Sequence, residues 1–284
     1  MKWYPAPGKL NLFLHVLGRR EDGYHLLQTV YRLIERADRV GIAPRADGEL
    51  RRVQGDPRID AEQDLCLSAA RALKDHALRR VGPTAGSLGA DIGLEKVLPI
   101  GGGLGGGSSD AATVLLVLNR AWNLNLRRDE LLALGARLGA DVPLFVFGES
   151  ALGEGIGERL TALHLAPAWY LVLTAQVSVS TKEMFSDRAL TRNTKPLKIP
   201  PFFSGQGRND LEAVVTARYP EVAAHLAWLK QRCPGARMTG SGACVFAEFA
   251  EEFEARALHS QLPEAMQGFV TRSLERHPLH DWAT

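Results

Sequence analysis

The 284-residue chain has only three cysteines, and Cys66, Cys233 and Cys244 stand far apart with no C-x-x-C pair. That scarcity excludes a disulfide framework and a cysteine-type zinc site, and it fits a reducing compartment. An excess of one charge is also missing, since 34 basic residues face 32 acidic ones for a formal net charge of +2. With no basic block standing apart from acids, neither a nucleic-acid nor a membrane-surface partner is expected. Long apolar runs are lacking too. The most apolar stretch, Leu163 to Val179, is interrupted by Pro167 and alternates like a strand, and Met1-Lys2-Trp3-Tyr4-Pro5 lacks the apolar segment of an export signal. No membrane span or secretion signal is expected, which places the protein in the cytoplasm. The eight histidines are scattered, and His277-Pro278-Leu279-His280 reads as solvated rather than metal-binding.

Glycine, by contrast, is concentrated. In Pro99-Ile100-Gly101-Gly102-Gly103-Leu104-Gly105-Gly106-Gly107-Ser108-Ser109-Asp110, six of the seven residues 101–107 are glycine. A loop stripped of side chains that opens into a helix exposes main-chain N–H groups at the positive end of the helix dipole, a site suited to phosphate. Gly101, Gly103 and Gly106 satisfy G-x-G-x-x-G, but the dinucleotide fold also requires a buried lead-in strand and an acidic residue about twenty positions on. The lead-in from Ala90 to Leu98 carries Asp91, Glu95 and Lys96, and the later region, Arg127-Arg128-Asp129-Glu130, reads as a helix start. Gly102 to Ser109 also has the outline of G-x-x-x-x-G-K-[ST], with Ser108 where the lysine is required. The cation must therefore come from elsewhere in the chain. A flexible linker is disfavoured because the next helix, about Ser108 to Trp122, is apolar on nearly all faces and reads as buried. Ser108, Ser109 and Asp110 are suited either to cap that helix or to reach a phosphate or its metal ion.

The length and the 45% hydrophobic content allow two domains. Leu10, Leu12 and Leu14 alternate with Lys9, Asn11 and Phe13, which predicts a strand with one buried face and with Lys9 and Asn11 side by side on the other. Asp22-Gly23 predicts a hairpin turn into a strand over Leu26 to Leu33. Short strands are expected at Val40 to Ala43, Leu50 to Val53 and Ala90 to Leu98, and helices at Leu65 to Leu78 and Arg128 to Leu138. The small residues between Gly148 and Gly157 suggest a division into domains of residues 1–153 and 154–284. Beyond it, a strand from Trp169 to Ser180, helices at Asp210 to Thr216 and Glu221 to Arg232, strands at Ala236 to Met238 and Cys244 to Phe249, a helix at Glu251 to Ser260 and a strand at Phe269 to Ser273 predict an α+β, ferredoxin-like unit.

The glycine loop forms a pattern with two other stations, Pro7-Gly8-Lys9-Leu10-Asn11-Leu12 and Thr239-Gly240-Ser241-Gly242-Ala243-Cys244. Across essentially the whole chain this layout resembles the GHMP small-molecule kinases, whose ATP loop has no Walker lysine. Within them, Arg20-Glu21-Asp22-Gly23-Tyr24-His25, the loop from Pro99 to Ser109 and Leu138-Gly139-Ala140-Asp141-Val142-Pro143 resemble the 4-diphosphocytidyl-2-C-methyl-D-erythritol kinase family. One departure is Gly8, where that family more often has alanine.

The resemblance implies a two-domain α+β fold, with a mixed α/β N-terminal domain followed by the ferredoxin-like one. It also implies phosphorylation by ATP, with Mg2+, of the 2-hydroxyl of a cytidine-diphosphate-linked sugar alcohol in the non-mevalonate route to isoprenoid precursors. Phosphoryl transfer needs positioning and charge compensation more than strong proton abstraction. Asp141 matches the family's catalytic aspartate, although the residues alone leave it equally an N-cap ahead of Pro143. Lys9 matches the catalytic lysine, Tyr24 and Phe185 the pair that stacks on cytosine, His25 the residue reading the base edge, and Asn11 and Thr181 further substrate contacts. Without the resemblance Tyr24 reads as an ordinary strand aromatic and Phe185 as core. Gly240, Ser241 and Gly242 form either a plain turn or a wall of the site, and Lys96 and Lys182 are either extra phosphate partners or solvated. A kinase of homoserine or mevalonate type is the nearest alternative, opposed by Tyr24-His25. A catalytically silent nucleotide-binding protein is opposed by the presence of both Lys9 and Asp141, and a Rossmann oxidoreductase is more distant.

Overall fold

One strand organises the architecture, which is taken from a computed structural model that describes residues 1–60, 62–198 and 207–283. Strand β1 (Lys2–Arg19) pairs antiparallel with β2 (His25–Arg45), from Lys2 opposite Ile42 to Arg19 opposite His25. The Asp22-Gly23 turn is present, with Gly23 at φ 89°. The two short strands expected at 26–33 and 40–43 are parts of the single β2. The expected open face on β1 is absent: every residue from Ala6 to Val16 is buried, because both faces are covered. Ala6 packs among helix residues, Leu10 and Phe13 pack with Tyr170 and Phe246, and Leu14 and Val16 join Met184 and Leu226. Register breaks between Pro7 and Lys9, Asn11 and Phe13, and Val16 and Gly18 also rotate the alternation along the strand.

Strand β3 (Leu50–Gln54) lies parallel to β4 (Gly89–Glu95), which pairs antiparallel with β2. Helices α1 (Leu65–Val81), α2 (Gly106–Ala121), α3 (Arg128–Leu138) and α4 (Val142–Phe147) supply the core against this sheet. Ser109 to Asn119 of α2 are all buried, as its composition predicts. Strands β5 (Ala151–Glu154) and β6 (Arg159–Ala162) then pair with each other, and β5 pairs with β2. A division at residue 153 therefore cuts through β5. The glycines there make the turn of a hairpin, Gly155 at φ 73° and Gly157 at φ 110°, and the first sheet runs on to Ala162.

The second sheet contains β7 (Trp169–Thr174), which stops before the expected Ser180, β8 (Arg237–Met238), β9 (Cys244–Phe249) and β10 (Gln267–Arg272). Helices α5 (Thr181–Ser186), α6 (Glu212–Arg218) and α7 (Pro220–Arg232) come after β7, and α8 (Glu252–His259) precedes β10. The strand order β10-β7-β9-β8, antiparallel throughout, is the βαββαβ arrangement of a ferredoxin-like unit. The chain then returns to the first domain. Leu279 and Ala283 are buried in its core, and Arg128 donates to the carbonyls of His280 at 2.8 Å and Ala283 at 2.7 Å. His277, expected to be solvated, is buried beneath this return, and burial pulls its pKa down to about 3. No described helix is long and apolar enough to cross a membrane.

The segment between β4 and the glycine loop is fixed from below by three buried charges. One oxygen of Asp38 accepts the N–H groups of Val97 at 2.6 Å and Leu98 at 2.7 Å. Its other oxygen shares the Lys96 ammonium with Asp110, which lies 2.8 Å from it. Lys96 is thus neither solvated nor open to a phosphate; its side chain is buried. Two carboxylates facing one ammonium leave excess negative charge out of water. Burial first, and then Asp38 against the opposing pull of Lys96, push Asp110 up to about 7 from its ordinary 3.8. The unfolded chain therefore releases this proton at lower pH than the folded one, so Asp110 weakens folding progressively as pH rises between those values. Relative to wild type, the urea midpoint of Asp110→Asn is expected to gain steadily from about pH 4 to about pH 7; midpoints that run parallel contradict this.

Candidate active site

The first positioned group is Lys9. Its backbone N–H donates to the Leu104 carbonyl at 2.9 Å, joining β1 to the glycine loop. Its side chain is buried, with Nζ 2.5 Å from Asn11 Oδ1 and 3.3 Å from Asp141 Oδ2. The register break after Pro7 lies beside Gly8, where a Cβ would come within 3.2 Å of Ile34 and Leu98. Asn11 completes its bonding through Nδ2, which donates to Thr29 Oγ1 at 2.8 Å, and its N–H donates to Thr239 Oγ1 at 2.8 Å.

Asp141 precedes α4, with Pro143 in the first turn as the capping reading requires, yet its side chain makes no cap hydrogen bond. It is directed instead at Lys9 and at Tyr31, whose hydroxyl donates to Oδ1 at 3.4 Å. Burial, and then the Asp141 charge, hold the Tyr31 phenol well above its ordinary range, so it stays a proton-bearing donor at neutral pH. The Tyr31 ring also lies 5.7 Å from the Lys9 ammonium. Gly153 and Gly157 make room for it, since a Cβ at either would lie 2.5 or 2.6 Å from Tyr31 atoms.

The glycine loop meets this pair from the other side. Gly101, Gly103 and Gly105 have φ of 72°, 78° and 71°, backbone conformations that glycine adopts without penalty. A Cβ at Gly103 would lie 2.5 Å from the Thr239 carbonyl, and one at Gly105 3.2 Å from Lys9 Cε. Gly105 is the N-cap of α2, so Gly106, Gly107 and Ser108 form its first turn, where N–H groups have no partner within the helix. Ser108, Ser109 and Asp110 are therefore not caps. Ser109 is wholly buried, its hydroxyl unpaired and its N–H donating to the Gly105 carbonyl at 2.9 Å. Ser108 is half-buried on the turn itself. Pro99 and Ile100 lead into the loop, and Ile100 is 40% exposed.

Gly240, Ser241 and Gly242 lie directly against the loop. Gly240 would place a Cβ 2.9 Å from the Gly103 carbonyl, and Ser241 Oγ is 2.7 Å from Thr181 Oγ1 at the start of α5. Asn209 supports the turn by donating to Met238 and Gly240 carbonyls at 2.9 and 2.8 Å. Farther along β1 and β2, His25 is buried and its ring stacks on Phe185 with centroids 5.1 Å apart and planes 30° apart. Burial, then Arg192 and Arg19, lower the His25 pKa. Tyr24 stands apart from this stack and is 60% exposed. Lys182 is exposed on α5.

Lys9, Asn11, Asp141, the glycine loop and the 240–242 turn are thus brought together, with Thr181 at their edge and the His25–Phe185 stack beyond. Tyr31, Asn209 and Arg192 were not legible as site residues, and Thr239 was legible only as the first residue of the third motif stretch. Tyr31 reads as an ordinary strand tyrosine, Asn209 acts through Met238 and Gly240, and Arg192 joins nearby carbonyls to the distant His25.

Residues 64–149 match the family model described as GHMP kinases N terminal domain, and residues 201–268 match GHMP kinases C terminal. The 4-diphosphocytidyl-2-C-methyl-D-erythritol kinase of Nitrosospira multiformis is 60% identical over 282 residues, covering 98% of this chain and 93% of the relative. That of Thiobacillus denitrificans is 57% identical over 279 residues, covering 98% of each. A crystal structure of 4-(cytidine 5'-diphospho)-2C-methyl-D-erythritol kinase superposes with a TM-score of 0.77 at 32% identity, covering 96% of this chain and 99% of that one. The mevalonate kinase of Methanococcus jannaschii, at 16% identity and a TM-score of 0.65 over 96% of this chain and 98% of its own, shares the fold. With these relatives matched over nearly its full length, the chain belongs to the 4-diphosphocytidyl-2-C-methyl-D-erythritol kinase family of the GHMP kinases.

Proposed function

We propose that the protein transfers the γ-phosphoryl group of ATP to the 2-hydroxyl of 4-diphosphocytidyl-2-C-methyl-D-erythritol, with Lys9 and Asp141 as its catalytic pair. The observation that carries this reading is the 3.3 Å contact between Lys9 and Asp141 beside the first turn of α2. The loop glycines and the free N–H groups of that turn cradle the triphosphate. Asp141 accepts the proton of the acceptor hydroxyl as its oxygen bonds to the γ-phosphorus and the bond to the departing ADP breaks. In a loose transition state little proton transfer is needed early, so orienting the hydroxyl is as important as removing its proton. Lys9 holds Asp141 in place and offsets charge on the transferred group. Asn11, already tied to Lys9 and Thr29, contacts the acceptor, as does Thr181. Magnesium binds nucleotides chiefly through phosphate oxygens and water, so one protein oxygen suffices, and the Ser108 hydroxyl is the one on the first turn of α2. Bound there, the ion would neutralise charge on the phosphates.

The cytidyl base is recognised at the His25–Phe185 stack, with exposed Tyr24 able to close on it; aromatic stacking contributes on the order of 1–3 kcal/mol per base. In the cytoplasm both substrates are soluble small molecules. The assay that tests the reading is ATP-dependent phosphorylation of 4-diphosphocytidyl-2-C-methyl-D-erythritol, homoserine and mevalonate side by side. Turnover of the first alone is expected; turnover of another acceptor, or of none, overturns it. Lys9→Ala and Asp141→Asn are each expected to lower kcat by about a hundredfold or more with the thermal transition retained. Near-normal turnover in either removes that residue from the mechanism.

A further inference from the structure

Arg192 lies on the segment after α5, and its guanidinium makes four hydrogen bonds. Nε donates to His25 Nε2 at 3.0 Å. Nη2 donates to the carbonyls of Phe185 at 2.9 Å and Asp187 at 2.7 Å, and Nη1 donates to that of Leu190 at 3.1 Å. One rigid fork therefore grips both partners of the aromatic stack, the His25 ring directly and Phe185 through the end of its helix.

A guanidinium only donates. His25 Nε2 must then be the acceptor, and the proton of the neutral ring is forced onto Nδ1. Among the described residues no protein group pairs with Nδ1. The burial and neighbouring positive charge that lower the His25 pKa act in the same direction, keeping the ring neutral. A fixed Nδ1–H is a single donor held at the edge of a stacking platform. It suits a base that offers an acceptor there, as cytosine does with N3 and O2, and not a group that offers only donors.

We infer that Arg192 is a positioning residue for base recognition, locking His25 as an Nδ1–H donor and holding Phe185 against it. It touches no reacting atom, so it governs capture of the acceptor substrate and not the transfer step. Its effect on turnover presupposes the cytidyl acceptor proposed above, whereas its effect on the His25 tautomer does not.

Two measurements on Arg192→Met test the inference. In nitrogen-15 spectra of the unliganded protein at neutral pH, wild-type His25 is expected to carry its proton on Nδ1, and the variant to lose that fixed state and protonate Nε2 appreciably. In steady-state assays the KM for the cytidyl substrate is expected to rise about tenfold or more, the scale of a lost hydrogen bond to a charged group. The kcat and the KM for ATP should stay within about twofold, since the hydrogen bonds of Arg192 go to His25, Phe185, Asp187 and Leu190 and not to the loop or Lys9. An unchanged tautomer, an unchanged KM for the cytidyl substrate, or a matched fall in kcat with a risen KM for ATP overturns the inference. A wild-type protein that fails to phosphorylate the cytidyl substrate while showing the Nδ1–H state overturns the functional reading and not the tautomer lock. Should Arg192→Met fail to fold, the wild-type spectrum still decides, since a neutral His25 with its proton on Nε2 overturns the inference.

Discussion

Lys9 is bonded at both ends. Its amide is tied to the glycine loop through Leu104 and its ammonium to Asp141, while Asn11 two residues on is tied to Thr239 of the second domain. The distance between the glycine loop and the Asp141 carboxylate is therefore set by one residue of a strand whose faces are both covered. A buried ammonium without its carboxylate would carry a large desolvation cost, so the pairing constrains where α4 must begin. The glycine loop, in turn, is clamped between this strand and the 239–242 turn, with no room for a Cβ at Gly103. The Lys9–Asp141 pair and the glycine loop are thus tied to residues of both domains.

The charges beneath the loop serve a different end from those above it. Asp38, Lys96 and Asp110 are buried, hold the backbone of residues 97–98 and pack against Gly106 at the start of α2, where a Cβ would lie 3.0 Å from Lys96 Nζ. Lys9 and Asp141 are adjacent to the cradle, and the Asp141 side chain remains 30% exposed. Both lysine side chains are buried to the same degree, and their partners set them apart: Asp141 is part-exposed, whereas Asp38 and Asp110 are fully buried.

The glycine loop and the Lys9–Asn11 stretch were legible because their signals are local: a run of glycines, an apolar helix that anchors the end of that run, and a lysine beside an asparagine on a strand. The ferredoxin-like order of the second half was legible as well, since its strands and helices are regular. The features that were not legible depended on tertiary covering. The alternation in β1 predicted an open face because nothing in Leu10 to Leu14 announces that a second sheet will pack on it. Gly148 to Gly157 resembled a linker because a hairpin turn and a linker use the same small residues. His277 looked solvated because the core that buries it is built mainly from residues more than a hundred positions earlier. Arg192 and Tyr31 carried no motif; their roles exist only where His25 and Asp141 come to meet them.

The most direct test of the whole account is a crystal structure with a non-hydrolysable ATP analogue and 4-diphosphocytidyl-2-C-methyl-D-erythritol bound together. The account predicts a γ-phosphate between the first turn of α2 and the Lys9 ammonium, with the acceptor's 2-hydroxyl hydrogen-bonded to Asp141. Phosphates bound away from that turn, or an acceptor hydroxyl beyond the reach of Asp141, would contradict it.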